Sequence, residues 1–508
     1  MAASKLTDQL NKEPTAVEDV KNKGRWGFVQ FFFVLTVVFC ALLYAPRVFL
    51  LAPNGVDDFF KPNATSSSRS PAVVRHVGGN AGEADDGAIV LDNQVRSPCA
   101  AMRNHSICCD RSDFNTDVCF MAGDVRTDAA SLSLLLFPPA PPDGTTAVEE
   151  RVRPYTRKWE RFIMQKVQEV RLRVARPEEA ADRRCDVRHD APVLVMTAGG
   201  YTGNFFHAFS DGFLPAWVTV QHLRRRVVLA VLSYNPWWAG TFSEIIGGLS
   251  DYHVVDLLND KRTHCFPGAI VGTRFHGILK VDPARLRDNK TVVDFHNLLA
   301  DVYETAEKGG REPPETQEKT SSAPRRRPRL GIVSRKGTRV IENQAAVARL
   351  AAAAGFDVDV LETANGMPLP AVYAAVSACD VLVGVHGADL TRFLFLRPGR
   401  AALVQVAPLG VSAIARDCFG APSARMGLRY EQYEVAARES SLSRRYPPGD
   451  AVVADPEAAK RAGGWDLVAR VYLGGQNVSL DLDRFGKTLA GLHARALRLQ
   501  RQETPPPP

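Results

Sequence analysis

The stretch DVLVGVHGADLT, Asp380 to Thr391, decides the fold class of this chain. Its run Val381 to Val385 consists of aliphatic and small residues, a composition typical of a strand that is buried on both faces of a parallel sheet. His386 and Gly387 follow, and after them comes the pattern of a helix. A buried strand that passes through a glycine turn into a helix is the building unit of an α/β fold, in which ligands bind beyond the carboxyl ends of the strands.

The same alternation of strand and helix patterns extends outward from this stretch. Around it, the patterns predict strands at RLGIVS, FDVDVLE, VLVGV and ALVQV, with helices at Gln344–Ala354, Leu369–Ala378 and Ala388–Leu396. An earlier set predicts a strand at Val193–Thr197, a helix from about Asn204 to Leu223, and strands at VVLAVLS and YHVVDLL on either side of the helix WWAGTFSEIIGGLS. Two doubly wound, Rossmann-like domains that face a cleft are therefore predicted.

The N-terminal segments predict a membrane anchor and a stem. Residues 26–45, WGFVQFFFVLTVVFCALLYA, are long and apolar enough to cross a bilayer as a helix. Lysines and an arginine precede them, so residues 1–25 are expected in the cytosol and the remainder in a lumen. Segment 46–95 is polar and is predicted to be a disordered luminal stem. The expected divisions after it are an N-terminal lobe at 96–306, a polar linker at 307–329, a C-terminal lobe at 330–500 and a tail at 501–508.

Composition, cysteines and sequons agree with such a protein. The chain has 508 residues, 45% of them hydrophobic, which suffices for two domains. Its net charge of +7 accompanies no zinc-finger spacing and no basic run interleaved with aromatic residues, so nucleic acid is not an expected partner. Eight cysteines outside the span could pair in an oxidising compartment, with their connectivity left open. Four sequons would be accessible to glycosylation in a lumen, at Asn63, Asn104, Asn289 and Asn477.

Polar groups follow the predicted strands of the later set, where the carboxyl ends of parallel strands meet. The strand LGIV is followed by Ser334, Arg335, Lys336 and Gly337, and the strand VLVGV by His386, Gly387 and Ala388. An arginine fork, a lysine charge and the amides of a helix start are the groups that hold a diphosphate. We therefore predict a diphosphate site. The alternative is that His386 is a polar cap and SRKGTR a solvated basic turn.

A histidine and a carboxylate follow the first strand of the earlier set. In AGGYTGNFFHAFSD, His207 and Asp211 are four residues apart and share one face of a helix. Such a pair can remove a proton from an acceptor hydroxyl, with Asp211 either orienting the ring or acting as the base itself. The alternative is an ordinary hydrogen bond that fixes the start of the helix.

Six blocks, taken in order, resemble the plant branch of glycosyltransferase family 61 over about residues 96 to 500. They are GGYTGNFFHAFSD, CFPGAIVGTRFHGILKVDP, GIVSRKGTRVIEN, DVLVGVHGADLTRFLFLRPG, MGLRYEQYEV and VYLGGQNVSLDLDRF. The resemblance implies a single-pass type II Golgi membrane protein with a GT-B fold, an inverting and metal-independent transferase that uses nucleotide sugars. In grasses, many members are assigned to the decoration of xylan with arabinofuranosyl or xylosyl units.

Carried onto this chain, the resemblance implies that Ser334, Arg335, Lys336 and His386 contact the nucleotide diphosphate and that His207 and Asp211 lie on the acceptor side. One block departs from the family pattern, which usually has glycine at the position of Asp389 and asparagine at that of Arg392. An aspartate one turn from a diphosphate repels it unless it turns away or pairs with Arg392. The departure predicts either a shifted donor specificity or weaker donor binding.

Metal independence is also expected from the residues themselves. The paired carboxylates available to a divalent cation, in DVD at Asp357 and Asp359 and in DLD at Asp481 and Asp483, fall in a predicted strand and beside a sequon. Arginine and lysine are therefore expected to neutralise the leaving diphosphate.

The expected activity is the transfer of a pentose from a UDP-sugar to a xylan-type polysaccharide. Donor, acceptor and Golgi membrane are the expected partners, and a complex with other Golgi transferases is a further one. The alternatives are a β-1,2-xylosyltransferase of the N-glycan core, a non-catalytic sugar-binding paralogue, and a cell-surface protein.

Overall fold

A computed structural model of the protein describes residues 73–75, 89–139, 149–176, 178–308, 326–362 and 367–503. The predicted cytosolic tail, membrane span and Asn63, and most of the predicted stem, linker and C-terminal tail, lie outside these ranges. Among the residues within them, none of the helices is long and apolar enough to cross a membrane.

The N-terminal lobe is built on a mixed sheet of eleven strands. These are β1 (Val73–Arg75), β2 (Ser106–Asp110), β3 (Val118–Asp128), β4 (Ser133–Phe137), β5 (Glu149–Val152), β6 (Val170–Val174), β7 (Val187–Arg188), β8 (Val193–Thr197), β9 (Val228–Leu232), β10 (Val255–Asp256) and β11 (His264–Val271). Strands β10, β9, β8 and β11 pair in parallel in that order, whereas β3 pairs antiparallel with β2, β4 and β11. A doubly wound sheet therefore describes only the parallel half of this lobe.

The antiparallel half explains why the sequence prediction was incomplete. The cysteine-dense segment after the predicted stem forms β2 and β3, which are paired strands with Cys109 and Cys119 opposite each other and joined by a disulfide. Part of the predicted stem also belongs to the lobe, since the side chains of residues 91–94 are buried. Asp92 forms a buried ion pair with Arg274, so polar partners rather than an apolar period hold this segment in place.

The C-terminal lobe contains a fully parallel five-stranded sheet. Its strands are β12 (Arg329–Ser334), β13 (Asp357–Glu362), β14 (Val381–Val385), β15 (Ala402–Ala407) and β16 (Arg429–Glu434), in the spatial order β13, β12, β14, β15, β16. The predicted strands are all present, and β16 adds an edge strand whose mixed polar sequence gave no strand signal. The strand order reverses between β12 and β14, and ligands of such sheets bind at this switch point, beyond the carboxyl ends of the two strands.

The helices lie along the faces of both sheets. They are α1 (Arg161–Met164), α2 (Glu179–Asp182), α3 (Phe205–His207), α4 (Leu214–Val220), α5 (Pro236–Thr241), α6 (Ser243–Leu249), α7 (Val292–Lys308), α8 (Gln344–Ala353), α9 (Leu369–Ser377), α10 (Ser412–Ala415), α11 (Ala421–Arg425), α12 (Ala451–Ala454), α13 (Pro456–Leu467) and α14 (Leu482–Glu503). Three π-helical segments continue α3, α10 and α13, at Ala208–Phe213, Arg416–Gly420 and Val468–Leu473. The helix predicted at Ala388–Leu396 is a 3-10 helix, Ala388–Phe395.

One apolar core spans both lobes. Helix α7 provides the connection because Phe295 packs against Trp217 of the N-terminal lobe, with ring centroids 5.6 Å apart. Two turns later, Tyr303 packs against Tyr373 and Phe395 of the C-terminal lobe, with both centroid distances 5.5 Å. The lobes are therefore joined by a continuous hydrophobic interior behind the site described below.

Three disulfides cross-link the described part of the N-terminal lobe. Cys99 pairs with Cys108, Cys109 with Cys119, and Cys185 with Cys265, whereas Cys379 and Cys418 of the C-terminal lobe are free thiols. Cys185–Cys265 closes a sequence separation of 80 residues, which restricts the unfolded chain more than the two short loops do.

Candidate active site

His207 and Asp211 lie on the helix that follows β8, at the carboxyl edge of the parallel half-sheet. The Oδ1 atom of Asn204 caps this helix by accepting a hydrogen bond from the Phe206 amide at 2.9 Å. The next turn, Ala208–Phe213, is π-helical, and such single wide turns within a helix frequently occur at functional sites. His207 Nδ1 lies 2.7 Å from Asp211 Oδ2, so the predicted pair is present.

Asp211 is enclosed by donors. Arg157 Nε donates to Oδ2 of this carboxylate at 2.7 Å, and the hydroxyl of Tyr155 donates to the same oxygen at 3.0 Å. Burial raises the pKa of Asp211, but the hydrogen bond from His207 and the charge of Arg157 outweigh burial and hold the pKa below its usual value. A buried carboxylate that stays ionised and already accepts hydrogen bonds from three side chains is poorly placed to take a proton from a substrate.

The geometry therefore assigns the two groups different roles. His207 Nδ1 lies 2.7 Å from Asp211 Oδ2 and 3.2 Å from Arg157 Nη2, and the shorter contact, with the carboxylate, places the proton of the neutral ring on Nδ1 and leaves Nε2 as the acceptor. Nε2 has no hydrogen-bond partner within the described ranges, and the His207 side chain is partly exposed. Asp211 orients the ring and can stabilise the imidazolium that forms, which is the positioning arrangement of a histidine base.

Arg157, Tyr155 and Glu160 complete this cluster and were missed from the sequence. Glu160 Oε1 accepts from Arg157 Nη1 at 2.6 Å, and its Oε2 accepts from the hydroxyl of Tyr201 at 3.0 Å. The Tyr201 ring lies 5.0 Å from the His207 ring. These residues come from an irregular segment more than fifty positions before Asp211, where no periodicity indicates which side chains point inward.

The C-terminal lobe contributes three arginines at the switch point. Arg335 follows β12, Arg339 lies in the same loop, and Arg392 lies in the 3-10 helix after β14. Gly387 allows the arginines to approach the backbone, because an added Cβ would lie 2.7 Å from Arg335 Nη1 and 3.1 Å from Arg339 Nη1. The predicted proximity of Arg335 and the His386–Gly387 turn is thus observed.

One carboxylate serves this arginine cluster. Asp389 Oδ2 lies 2.6 Å from Arg335 Nη1, and Oδ1 lies 3.0 Å from Arg392 Nη1, so the pairing expected with Arg392 extends to Arg335. Arg339 Nη1 instead donates to the carbonyl of His386 at 3.0 Å. Burial and the charge of Arg335 lower the pKa of Arg339 to about 10.

Two buried donors of the arginine cluster have no protein acceptor. Within the residues that the structure describes, the Nε atoms of Arg339 and Arg392 are buried without a hydrogen-bond partner. The carboxylate of Asp389 pairs with two of the three guanidinium groups, and buried donors that lack a partner are rare in folded proteins. The electrostatics and the unsatisfied donors both fit an anionic ligand such as a diphosphate.

His386 lies beside the arginine cluster as a neutral ring. Burial and the charges of Arg339 and Arg335 lower the pKa of His386 to about 3. Its Nδ1 accepts from Gln405 Nε2 at 2.9 Å, and the Gln405 amide is oriented by the hydroxyl of Tyr430, which donates to Oε1 at 2.8 Å. The proton of His386 is therefore on Nε2, which makes that atom a donor at the switch point.

Other predicted site residues lie near the cluster or outside it. Ser334 ends β12 and is half-buried, and Ala388 starts the 3-10 helix. Gly337 is exposed with a φ of +85°. Lys336 does not join Arg335, because its side chain is 77% exposed and its Nζ lies 3.9 Å from Glu362 at the end of the neighbouring strand β13. The chain bends at Lys336, directly after β12, and the two neighbouring side chains leave the loop toward different partners.

The two half-sites meet across the lobes. The guanidinium carbon of Arg392 lies 4.7 Å from the ring centroid of Phe205, two residues before His207. Phe419 lies in the π-helical segment Arg416–Gly420 of the C-terminal lobe. Its ring centroid is 5.5 Å from that of His386 in the same lobe and 5.5 Å from that of Phe206 in the N-terminal lobe. The turn that bears His207 and the elements that bear the arginine cluster are therefore in contact across the two lobes.

Residues considered for metal binding have other partners. Asp359 pairs with Arg329 at 2.7 Å, and Asp481 pairs with Arg438 at 2.7 Å. Within the described ranges, no group of three or more histidine, cysteine or carboxylate residues is arranged to hold a metal ion.

The described sequons differ in accessibility. Asn104 and Asn289 are exposed. Asn477 is half-buried, and its Oδ1 accepts a hydrogen bond from the Val340 amide at 3.1 Å.

Comparisons with known proteins identify the family of this chain. The family model described as Glycosyltransferase 61 matches residues 205–403, from the start of α3 into β15. The Arabidopsis thaliana protein named Xylan glycosyltransferase MUCI21 is 37% identical over 414 residues, which are 80% of this chain and 83% of that protein. Two Oryza sativa proteins are also similar. Beta-1,2-xylosyltransferase XYXT1 is 35% identical over 75% of this chain and 82% of its own length, and Alpha-1,3-arabinosyltransferase XAT3 is 32% identical over 74% and 63%.

Among solved structures, the glycosyltransferase TibC of enterotoxigenic E. coli aligns with 13% identity and a TM-score of 0.25, covering 65% of this chain and 82% of that one. The family model and the similar plant proteins define this mixed α/β protein as a glycosyltransferase. The chain belongs to glycosyltransferase family 61.

Proposed function

We propose that this glycosyltransferase is an inverting, metal-independent enzyme of the Golgi lumen that transfers a pentose, arabinofuranose or xylose, from a UDP-sugar to a xylan-type cell-wall polysaccharide. The observation that carries the proposal is the contact between Arg392 and Phe205, which brings the arginine cluster alongside the turn that bears His207. The names of the similar plant proteins support xylan as the acceptor and a pentose as the transferred group.

In the proposed reaction, His207 Nε2 removes the proton of an acceptor hydroxyl as that oxygen attacks the anomeric carbon of the donor. The new glycosidic bond forms as the bond from the anomeric carbon to the phosphate oxygen breaks, and UDP departs on the opposite face. A single displacement of this kind inverts the anomeric configuration. Asp211 stabilises the imidazolium that carries the proton, and a positioned base typically contributes about a hundredfold to ten-thousandfold in rate.

The arginine cluster would stabilise the departing UDP. Arg335, Arg339 and Arg392 are held on a rigid sheet edge before the donor arrives, so they need little reorganisation as negative charge develops on the phosphate. Neutral His386 can donate through Nε2 to a phosphate or sugar oxygen. In this proposal, the guanidinium groups take the place of a divalent cation, and the two lobes correspond to the GT-B arrangement.

A membrane anchor and glycosylation sites complete the proposal. Residues 26–45 would anchor the protein in the Golgi membrane as a single-pass type II protein, with Asn63, Asn104, Asn289 and Asn477 as glycosylation sites. The donor, the polysaccharide and the membrane are the proposed partners, and no nucleic acid or cofactor is involved.

The test is transfer by the full-length protein from UDP-xylose and UDP-arabinofuranose to xylo-oligosaccharides. Arg335→Ala and His207→Ala should each lower kcat by about a hundredfold or more. Circular dichroism and thermal unfolding should show both variants folded. Full activity in both folded variants would remove the site assignment, and an N-glycan acceptor in the same assay would reveal transfer to the trimannosyl core instead.

A further inference from the structure

We call His207, Asp211, Arg157, Tyr155 and Glu160 the base cluster. Two aromatic side chains lie at the protein surface on segments that lead into it. Phe114 is 72% exposed, which is unusual for a large apolar ring. Its ring is nearly parallel to that of half-buried Trp159, with an interplanar angle of 14° and centroids 6.3 Å apart. We call Phe114 and Trp159 the aromatic platform. Exposed apolar surface of this kind commonly marks a place where a ligand binds.

The aromatic platform is rigidly mounted. Lys158 Nζ lies 2.7 Å from Asp117 and donates to the Arg111 carbonyl at 3.1 Å, and the Lys158 amide donates to the Asn115 carbonyl at 2.9 Å. The indole of Trp159 donates to the side chain of Asn115 at 3.3 Å. These bonds fasten the loop that bears Phe114 to the segment that bears Trp159. The loop that carries the exposed ring is therefore fixed before any ligand binds, which lowers the entropic cost of binding.

The aromatic platform continues directly into the base cluster. Trp159 is followed by Glu160, whose carboxylate accepts from both Arg157 and the hydroxyl of Tyr201. Tyr201 in turn packs beside His207. A chain of contacts thus leads from the surface ring of Phe114 to the proposed base, and a ligand long enough to reach both would lie along the N-terminal lobe.

Charges around the aromatic platform are paired with one another. Arg111 lies 2.8 Å from Asp117, which also holds Lys158, and Arg285 lies 3.2 Å from Asp113. The surface around the rings therefore combines apolar faces with internally neutralised charges. This chemistry fits the apolar faces and hydroxyl groups of an uncharged sugar chain better than a polyanion.

We propose that the aromatic platform binds the polysaccharide acceptor several sugar units away from the hydroxyl that reacts. This inference rests on the proposed function, because it takes the acceptor to be a chain that extends outward from His207. Stacking of a sugar ring on Phe114 supplies binding energy remote from the reacting atoms. Its loss should therefore raise KM for long acceptors while leaving kcat unchanged.

The test compares Phe114→Ala with Phe162→Ala in full-length protein, using xylo-oligosaccharides of increasing length. Phe162 is a matched control, because it is similarly exposed at 68% and lies three residues after Trp159, but its ring face is covered by Lys166 Nζ at 4.0 Å. Phe114→Ala should raise KM for long acceptors about threefold to tenfold and leave KM for the shortest active acceptor unchanged. Phe162→Ala should behave as wild type at every length.

A binding measurement separates this inference from the proposed activity. In affinity electrophoresis, polysaccharide in the gel retards a protein that binds it, whether or not transfer occurs. Xylan should retard the wild-type protein and Phe162→Ala but not Phe114→Ala, and Trp159→Phe should retain most of the retardation. Absence of transfer with retardation intact would refute the proposed reaction and leave the aromatic platform standing. The proposal for the aromatic platform would be wrong if wild type and Phe114→Ala were retarded equally or if the wild type were not retarded. It would also be wrong if Phe114→Ala lowered kcat.

Discussion

Under the proposed function, Asp389 would compete with the donor for Arg335, so its replacement should tighten UDP binding. In the ligand-free protein, the carboxylate bridges Arg335 at 2.6 Å and Arg392 at 3.0 Å. A diphosphate that engages Arg335 must break the first contact and tolerate the remaining negative charge nearby. Asp389→Asn removes both penalties and keeps the shape of the side chain, so it isolates the charge.

The size of the effect follows from the exposure of the pair. Arg335 is 12% exposed and Asp389 is 30% exposed, so their contact is stronger than a fully solvated ion pair and weaker than a dry one. A charge-assisted hydrogen bond in this range contributes about 1 to 2 kcal/mol. Release of Arg335 should therefore lower the Kd for UDP by about fivefold to thirtyfold.

Isothermal titration calorimetry of the full-length protein with UDP measures this change directly. Asp359→Asn is the matched control, because Asp359 of β13 pairs at 2.7 Å with Arg329, which begins β12 at the end opposite to Arg335. The control should bind UDP as wild type does. Unchanged or weaker UDP binding by Asp389→Asn would refute the competition and show that the carboxylate instead holds Arg335 in its binding position.

Thermal unfolding gives a second reading of the same perturbation. Without Asp389, three guanidinium groups lie close together with no carboxylate between them, so the melting temperature of the ligand-free variant should fall. Inorganic pyrophosphate should then raise the melting temperature of Asp389→Asn more than that of the wild type. An equal rise in both proteins would contradict the reasoning independently of the nucleoside.

Two further predictions test the arginine cluster and the buried histidine His276. Arg339→Ala should lower kcat by about a hundredfold, whereas Lys336→Ala should change kcat less than about threefold, because the lysine is exposed and points to β13. Similar losses of kcat for both variants in steady-state assays would contradict the site assignment. Burial lowers the pKa of His276 to about 3 from 6.5, so between these pH values the unfolded chain binds a proton that the folded chain does not. The free energy of unfolding should therefore fall as the pH falls below about 6.5, and in urea titrations His276→Gln should make this dependence shallower by up to about 1.4 kcal/mol per pH unit, whereas the exposed control His253→Gln should leave it unchanged. An unchanged slope in His276→Gln would mean that His276 is protonated in the folded state.

The parallel part of the fold was predictable because its signals are local. Strands β8 and β14 coincide with the predicted runs of aliphatic residues, and the four-residue spacing of His207 and Asp211 was enough to predict their contact. The antiparallel half was not recognised because β3 is long, mixes buried and half-buried positions, and gives neither a clean alternation nor a continuous apolar run.

The missed site residues depend on contacts between distant parts of the chain. Arg339 adopts a φ of +57° in a loop that is held by the backbone of Gln476, which accepts from the Arg339 amide at 2.7 Å. No sequence pattern within the loop encodes that contact. Arg157 likewise reaches Asp211 from an irregular segment, and the directions of Arg335 and Lys336 differ although both follow the same strand.

The apolar interior shared through helix α7 limits how this enzyme can exchange its substrates. Swinging the lobes apart would pull Phe295 and Tyr303 from their neighbours on opposite sides and hydrate aromatic surface that is now dry. We therefore expect donor entry and product release to require movements of side chains and short loops around the site, while the two lobes keep nearly the same relative position. Cleavage of the chain at the predicted linker, followed by separation of the parts, should accordingly yield two aggregation-prone fragments rather than two independently folded, functional domains.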